Sequence, residues 1–311
     1  MKVLINRKPV EGPWGGGNKT LSHLVNELQK KHDVVYELQP DVDIIFCFDP
    51  RHDNAGIWYQ NFIDFKIKNP KVKIIQRVGD VGSHSKPELK ALLRQIVKLN
   101  FTDHFIFPSM WARKMINHKG ENYSHIPNAP LKDFYKAREI KKNTLETSKV
   151  SIVTHHWSDN PKKGFAIYEK IGEVSKENNI VFHYYGRYSE KYKKAGINIH
   201  KPIDTKELIS ILPQYDFYVT ASIEEAGANH VLEAMACGIP VFYHIDGGSI
   251  GEYCKDFGIP FRDANDLLEK INLCKNEYRK YYDKTLKYND CIENVIERYI
   301  EIIERVNSEK N

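Results

Sequence analysis

From its first residues the chain alternates short apolar runs with longer stretches of helical periodicity, and few folds accommodate that alternation. In the first half the strand candidates are residues 2–6, 34–36, 42–48, 72–77 and 104–107. Between them, residues 20–31 place Leu21, Leu24, Val25 and Leu28 on one helical face, and 55–67, 87–99 and 109–118 also read as helices. Strands alternating with helices predict a doubly wound α/β domain, a parallel sheet covered on both faces. The pattern restarts at 150–154 and continues through a strand from 180, a helix over 204–212 and an apolar run at 217–221. A polar, lysine-rich run over 132–149 separates the two halves and is expected as a linker. The chain therefore divides into a domain over 1–145 and a second over 146–288, and 311 residues suffice for two cores. The last stretch, 289–311, carries Ile292, Val295, Ile296, Tyr299, Ile300, Ile303 and Val306 on one helical face.

Chemistry concentrates in residues 222–252. Glu224 and Glu225 open that stretch, and no other formal charge follows until Asp246 except Glu233. A glutamate set among Val231, Leu232, Ala234, Met235 and Ala236 must find partners or lose roughly a few kcal/mol to desolvation. The plainer alternative is a helix glutamate facing solvent. Seven residues separate Glu225 from Glu233. A helix starting near Gly227 leaves Glu225 on the loop before it and Glu233 about two turns inside. The first amides, through Gly227, Ala228 and Asn229, then point at an anion such as a diphosphate. A carboxylate further along can accept hydrogen bonds from a ribose diol. Phosphate at the helix mouth and sugar hydroxyls on glutamates together describe a nucleotide-sugar site.

The run Glu225-Ala-Gly-Ala-Asn-His-Val-Leu-Glu233-Ala-Met-Ala-Cys-Gly-Ile-Pro-Val241 resembles the E-x7-E signature of the family 4 retaining glycosyltransferases, which have the GT-B fold. Gly247 and Gly248, after Asp246, match that family's glycine pair. Three positions depart from the pattern: Gly227 stands where the family has an aromatic, Ala228 where it has Gly or Pro, and Glu252 lies one residue late. Residues 155–165, with Lys163 just before Gly164, resemble the family's diphosphate loop. Its usual arginine is missing, since Trp157 and Ser158 occupy that region, and Lys162, a histidine or Arg187 could replace it. His125-Ile-Pro-Asn-Ala-Pro130 resembles the strand and turn that close the first domain.

The resemblance implies two doubly wound, Rossmann-like domains facing each other across a cleft, with the last helix packing back on the first domain. It implies transfer of a sugar, with retention, from a nucleoside-diphosphate donor, UDP or GDP, to a carbohydrate or lipid-linked hydroxyl acceptor. Neither a separate cofactor nor a metal is expected. Glu225 would orient the transferred sugar, Glu233 would bind ribose, and Lys163 and Arg187 would meet the donor's charge. Gly227, Ala228, Asn229, Gly247 and Gly248 would approach the donor through their backbone. Rival readings are a nucleotide-sugar 2-epimerase of the same fold and a degenerate module that binds sugar nucleotides without turnover.

Other motifs are weaker. The loop at 12–18 places Gly12 and Gly17 as a P-loop would, but Asn18 displaces Lys19-Thr20 from their positions. No glycine completes a GxGxxG after Gly15. What remains is a turn, or a loop in which Gly16 and Gly17 let backbone approach the donor closely, as the resemblance implies. Asp41-Val-Asp43 looks like a metal-binding DxD, yet it precedes its strand, whereas ligands sit at strand carboxyl ends. Asp49, Arg77, Asp80 and His84 do follow strands, and Asp80 and His84 are the catalytic candidates of the first domain.

Charge is uneven: residues 1–145 hold 24 Lys and Arg against 15 Asp and Glu, while the remaining 166 hold 22 against 26. A basic first half suits an acidic acceptor, or peripheral contact with an anionic membrane, as well as a merely soluble lysine-rich surface. Aromatic–basic interleaving of a nucleic-acid binder is absent. Five scattered cysteines without a CxxC fit a reducing, cytoplasmic compartment. No window reaches the ~18 apolar residues of a membrane span, and the first residues lack the apolar core of a signal peptide.

Overall fold

The apolar runs become strands buried on both sides, as a parallel sheet sandwiched between helices requires. The computed structural model describes residues 1–10, 16–52, 56–84, 86–141, 145 and 149–309. They form two units, one of residues 1–128 with 292–311 and one of residues 129–291.

The first unit runs β1 (Lys2–Ile5), α1 (Gly16–Leu28), β2 (Asp33–Val35), β3 (Ile44–Cys47), α2 (Tyr59–Lys68), β4 (Lys73–Arg77), α3 (Pro87–Leu99), β5 (His104–Phe107), α4 (Met110–Met115) and β6 (Tyr123–His125). Its strands pair in parallel in the order β2-β1-β3-β4-β5-β6. The terminal helix, Ile292–Ser308, belongs to this unit. It buries Val295, Ile296, Tyr299, Ile302, Ile303 and Val306; Ile302 takes the place expected for Ile300, which sits at the flank of the face and stays half-buried.

The helix expected from residue 20 begins earlier, at Gly16, so Gly16 and Gly17 form its first turn and are not loop. In its first turns the Asn18 side chain accepts from the Val10 amide (2.9 Å) and donates to the Val10 carbonyl (2.7 Å), and the Thr20 hydroxyl donates to the Gly16 carbonyl. Residues 11–15, the remainder of the glycine loop, lie outside the described residues.

The second unit runs α5 (Asp133–Lys136), β7 (Val150–His156), α6 (Phe165–Val174), β8 (Ile180–Gly186), β9 (Ile197–His200), α7 (Thr205–Ile211), β10 (Phe217–Thr220), α8 (His230–Ala236), β11 (Val241–His244), α9 (Ser249–Cys254), β12 (Ile259–Phe261), α10 (Ala264–Asn276) and α11 (Tyr278–Thr285). Its sheet, also parallel, has the order β12-β11-β10-β7-β8-β9. Successive strand residues face opposite layers. Tyr218 packs with Val231 and Met235 in one core, and Phe217 and Val219 pack with Phe165, Tyr168 and Leu267 in the other.

Residues 132–141, expected as linker, are part of this unit. Phe134 and Ala137 are buried in the core beside α8. The Arg138 guanidinium donates to the carbonyls of Met235, Ala236, Leu286 and Tyr288, tying this segment to the ends of α8 and α11. Two apolar residues one helical turn apart are enough to dock a stretch whose composition is otherwise polar. Residues 142–144 and 146–148 lie outside the described residues. Among the described residues no helix is long and apolar enough to cross a membrane.

Candidate active site

In the second sheet β7, β8 and β9 step outward to one side and β10, β11 and β12 to the other. The order in which strands are laid down therefore reverses between the parallel neighbours β7 and β10. Segments leaving the carboxyl ends of such a pair part company and open a crevice, the place where open α/β sheets hold ligands. Residues 157–164 leave β7 there, and residues 221–229 leave β10.

Two ion pairs join these segments. Lys163 Nζ lies 2.5 Å from Glu225 Oε1, with the two side chains only 13% and 14% exposed. The adjacent Lys162 pairs with Glu224 in a more exposed setting, and its carbonyl accepts from the Ile223 amide at 2.9 Å. Glu224 has φ +56°, a left-handed conformation costing a side-chain-bearing residue about 1–2 kcal/mol. Backbone bonds on either side hold it there. The Glu224 amide donates to the Asp246 carbonyl (2.9 Å), the Glu225 amide to Gly247 (3.2 Å), and the Ser249 amide returns to Glu225 (2.8 Å). Gly247 and Gly248 thus back the Glu225 loop, with Gly248 at φ +68°.

The loops meet at Gly164. Its φ is +89°, and a Cβ there would fall 2.3 Å from Ala221 Cβ and 2.4 Å from the Ala221 carbonyl oxygen, so only glycine permits the approach. That contact sets Lys163 opposite Glu225.

Glu233 is the fourth residue of α8, which starts at His230 and not near Gly227. The bonds to residues 246–249 hold 224–229 as loop, so Glu233 lies about one turn inside rather than two. Its Oε2 is 3.0 Å from His155 Nε2, and both side chains are 13% exposed. Ala228 lies buried in the preceding loop and its amide donates to Ser249 Oγ at 3.1 Å. One of the amides expected to face an anion is thereby committed within the protein. Asn229 forms the N-cap of α8.

Beneath the charges lies a neutral polar layer. The Tyr168 hydroxyl accepts from the Ala221 amide (2.9 Å) and meets His156 Nε2 (2.9 Å), linking the ends of β7 and β10. Thr220 Oγ1 meets His230 Nε2 at 2.9 Å. Burial pushes the Tyr168 phenol up to about 12 and holds the His230 imidazole down at about 3, so both are uncharged near neutral pH.

Of the residues singled out in the sequence, the structure brings Lys163, Glu225, Glu233, Gly247 and Gly248 together at this strand switch. Arg187, after β8, places its guanidinium 4.9 Å from the Trp157 ring centre. Asp80, His84, Gly16 and Gly17 belong to the first unit. There Asp80 Oδ1 accepts from the Gly82 amide (2.9 Å). Asp49 pairs with Arg51 at 2.6 Å, and Arg77 is buried over the Phe48 ring with Nε 3.3 Å from the Tyr299 hydroxyl. Asp41 pairs with Lys2 Nζ, and Asp43 accepts from the Lys2 amide, at the amino edge of the sheet.

Sequence reasoning placed His155 in the loop after the strand, as a structural histidine or a substitute for the missing arginine, and did not pair it with Glu233. The strand was expected to end at residue 154, whereas β7 continues through His156, so His155 is a strand residue with a fixed direction.

The family model described as Glycosyl transferases group 1 matches residues 169–298, a span that includes Glu225 and Glu233. No curated protein matches the chain by sequence. Among solved structures, Anabaena HepE in complex with UDP and glucose superposes with a TM-score of 0.69 at 12% identity, covering 97% of this chain and 99% of that one. A glycosyltransferase from Rickettsia africae gives 0.66 at 13% identity and 99% coverage of both chains. Sucrose-phosphate synthase from Thermosynechococcus elongatus gives 0.66 at 12% identity and 98% of both. The two-unit α/β architecture is the GT-B fold shared by these proteins.

Proposed function

We propose that the chain is a retaining glycosyltransferase, moving a sugar from a nucleoside-diphosphate donor to a hydroxyl of a glycan, glycolipid or other acceptor. The observation that carries the reading is the convergence of two partnered carboxylates, Glu225 and Glu233, with Lys163 at one strand switch. In the resting site Lys163 is neutralised by Glu225. A diphosphate competes for that ammonium, and as Lys163 turns to phosphate the Glu225 carboxylate can accept from hydroxyls of the transferred sugar. Glu233 accepts from the ribose diol. As the sugar departs, negative charge grows on the diphosphate and Lys163 meets it, an effect commonly worth about 3–4 kcal/mol per well-placed group. A side-chain cation then takes the load that a metal ion carries in other transferases. HepE was solved with UDP and glucose, which favours UDP over GDP as the donor nucleotide here. Counted on the units of the structure, the first holds 22 Lys and Arg against 18 Asp and Glu, so charge gives an acidic acceptor little of the support that residues 1–145 suggested.

The test begins with thermal shifts against UDP, GDP, ADP and their sugar conjugates, since a bound nucleotide raises the melting temperature with its affinity. With the stabilising donor, Glu233→Gln and Lys163→Ala are each expected to lower the transfer rate by about 100-fold. Near wild-type rates in both variants would remove the assignment. The anomeric coupling constant of the product reports retention directly.

A further inference from the structure

We infer that His155 is a positioning residue: it fixes the carboxylate of Glu233 and thereby sets how strongly the site distinguishes a ribose from a sugar lacking its hydroxyls. The inference rests on the reading of Glu233 as the ribose ligand.

The hydrogen bonds around His155 determine which nitrogen carries its proton. The backbone amide of His155 donates to the Tyr218 hydroxyl at 3.1 Å. That hydroxyl has one proton of its own, and His155 Nδ1 lies 3.1 Å away, nearer than the His155 carbonyl at 3.4 Å. Tyr218 is fully buried, and burial raises its phenol well above the ordinary range, so it keeps its proton. We take Nδ1 as the acceptor of that proton, which places the ring N–H on Nε2, 3.0 Å from Glu233 Oε2.

The last torsion of a glutamate is otherwise broad and close to two-fold. A donor fixed on β7 and backed by a tyrosine of β10 restrains one oxygen of Glu233 on α8, and with it the swing of the carboxylate plane. A diol is met with less loss of freedom when that plane is restrained in advance, so the loss should fall on the diol and not on nucleotide binding in general.

Calorimetry with matched pairs tests this: UDP, GDP and ADP, each beside its 2′,3′-dideoxy analogue. The wild type is expected to prefer one ribonucleotide over its dideoxy form. In His155→Ala that preference shrinks about tenfold, whereas His155→Gln, whose amide can donate to Glu233, recovers most of it. A wild type that binds none of the pairs, or both members equally, overturns the ribose reading of Glu233 and the inference with it. A wild-type preference that His155→Ala retains in full overturns the role of His155 alone. Nitrogen-15 spectra of the wild-type imidazoles, with His155 assigned by its loss in the glutamine variant, add a readout independent of folding. The Nε2-protonated tautomer is expected, and an Nδ1-protonated ring would overturn the inference.

Discussion

His230 opens α8 with its ring almost out of reach of water, bonded to Thr220 and facing His156 with ring centres 5.0 Å apart. Burial lowers its pKa from the ordinary 6.5 to about 3. Between those two values the unfolded chain binds a proton that the folded chain refuses, so stability falls as pH falls through that window. The slope from this one group approaches about 1.4 kcal/mol per pH unit. A His230→Gln variant has no such proton to take up. Whatever the substitution costs at pH 7, the stability difference from wild type should narrow when both are unfolded in urea at pH 4.5. An unchanged or wider difference would mean that His230 is protonated in the folded state. The same logic separates this layer from the pairs above it, where each charge has a partner and a ligand can exchange it.

At the scale of elements, the site depends on two strand ends held in register. Tyr168, on α6, reaches both: its hydroxyl accepts from the Ala221 amide past β10 and meets His156 on β7. Tyr168→Phe keeps the ring in its core and strands a buried amide, a loss of about 1–3 kcal/mol. Urea unfolding should show that loss, and nucleotide affinity should fall with it, because Gly164 and Lys163 follow from the same junction. Much of this scaffold was legible in the sequence. Fully buried parallel strands are continuous apolar runs, as in β3 and β10, and charges isolated in such surroundings, Glu233 above all, announce themselves. What was not legible depends on distant partners. The His155–Glu233 contact spans 78 residues, and nothing local marks either end as the other's partner. β9, which reads Ile-Asn-Ile-His, and β12, three residues with a proline at its centre, carry too little apolar pattern to stand out. The run 132–141 hid two core residues, Phe134 and Ala137, among lysines, and its docking through Arg138 uses backbone carbonyls that no side-chain pattern can reveal.

For the molecule as a whole, the division between units does not follow chain order, because the last helix completes the first unit. Its apolar face, Val295, Tyr299, Ile303 and Val306, is buried. Tyr299 lies 6.1 Å from the Phe46 ring centre on β3 and takes a hydrogen bond from buried Arg77 at the end of β4. His32, beyond α1, meets Glu304 at 2.9 Å. The face bears on the middle of a sheet, so its loss should be felt well beyond the helix. Tyr299→Ala opens a cavity and deprives a buried guanidinium of an acceptor; aromatic truncation alone costs about 3–5 kcal/mol. If the units open separately, hydrogen exchange in this variant should quicken in β1, β3, β4 and α1 and leave peptides from residues 129–291 at their wild-type rates. Acceleration of equal size in β7 and β10 would show that the two units unfold as one, and the division drawn from their packing would then have no energetic meaning.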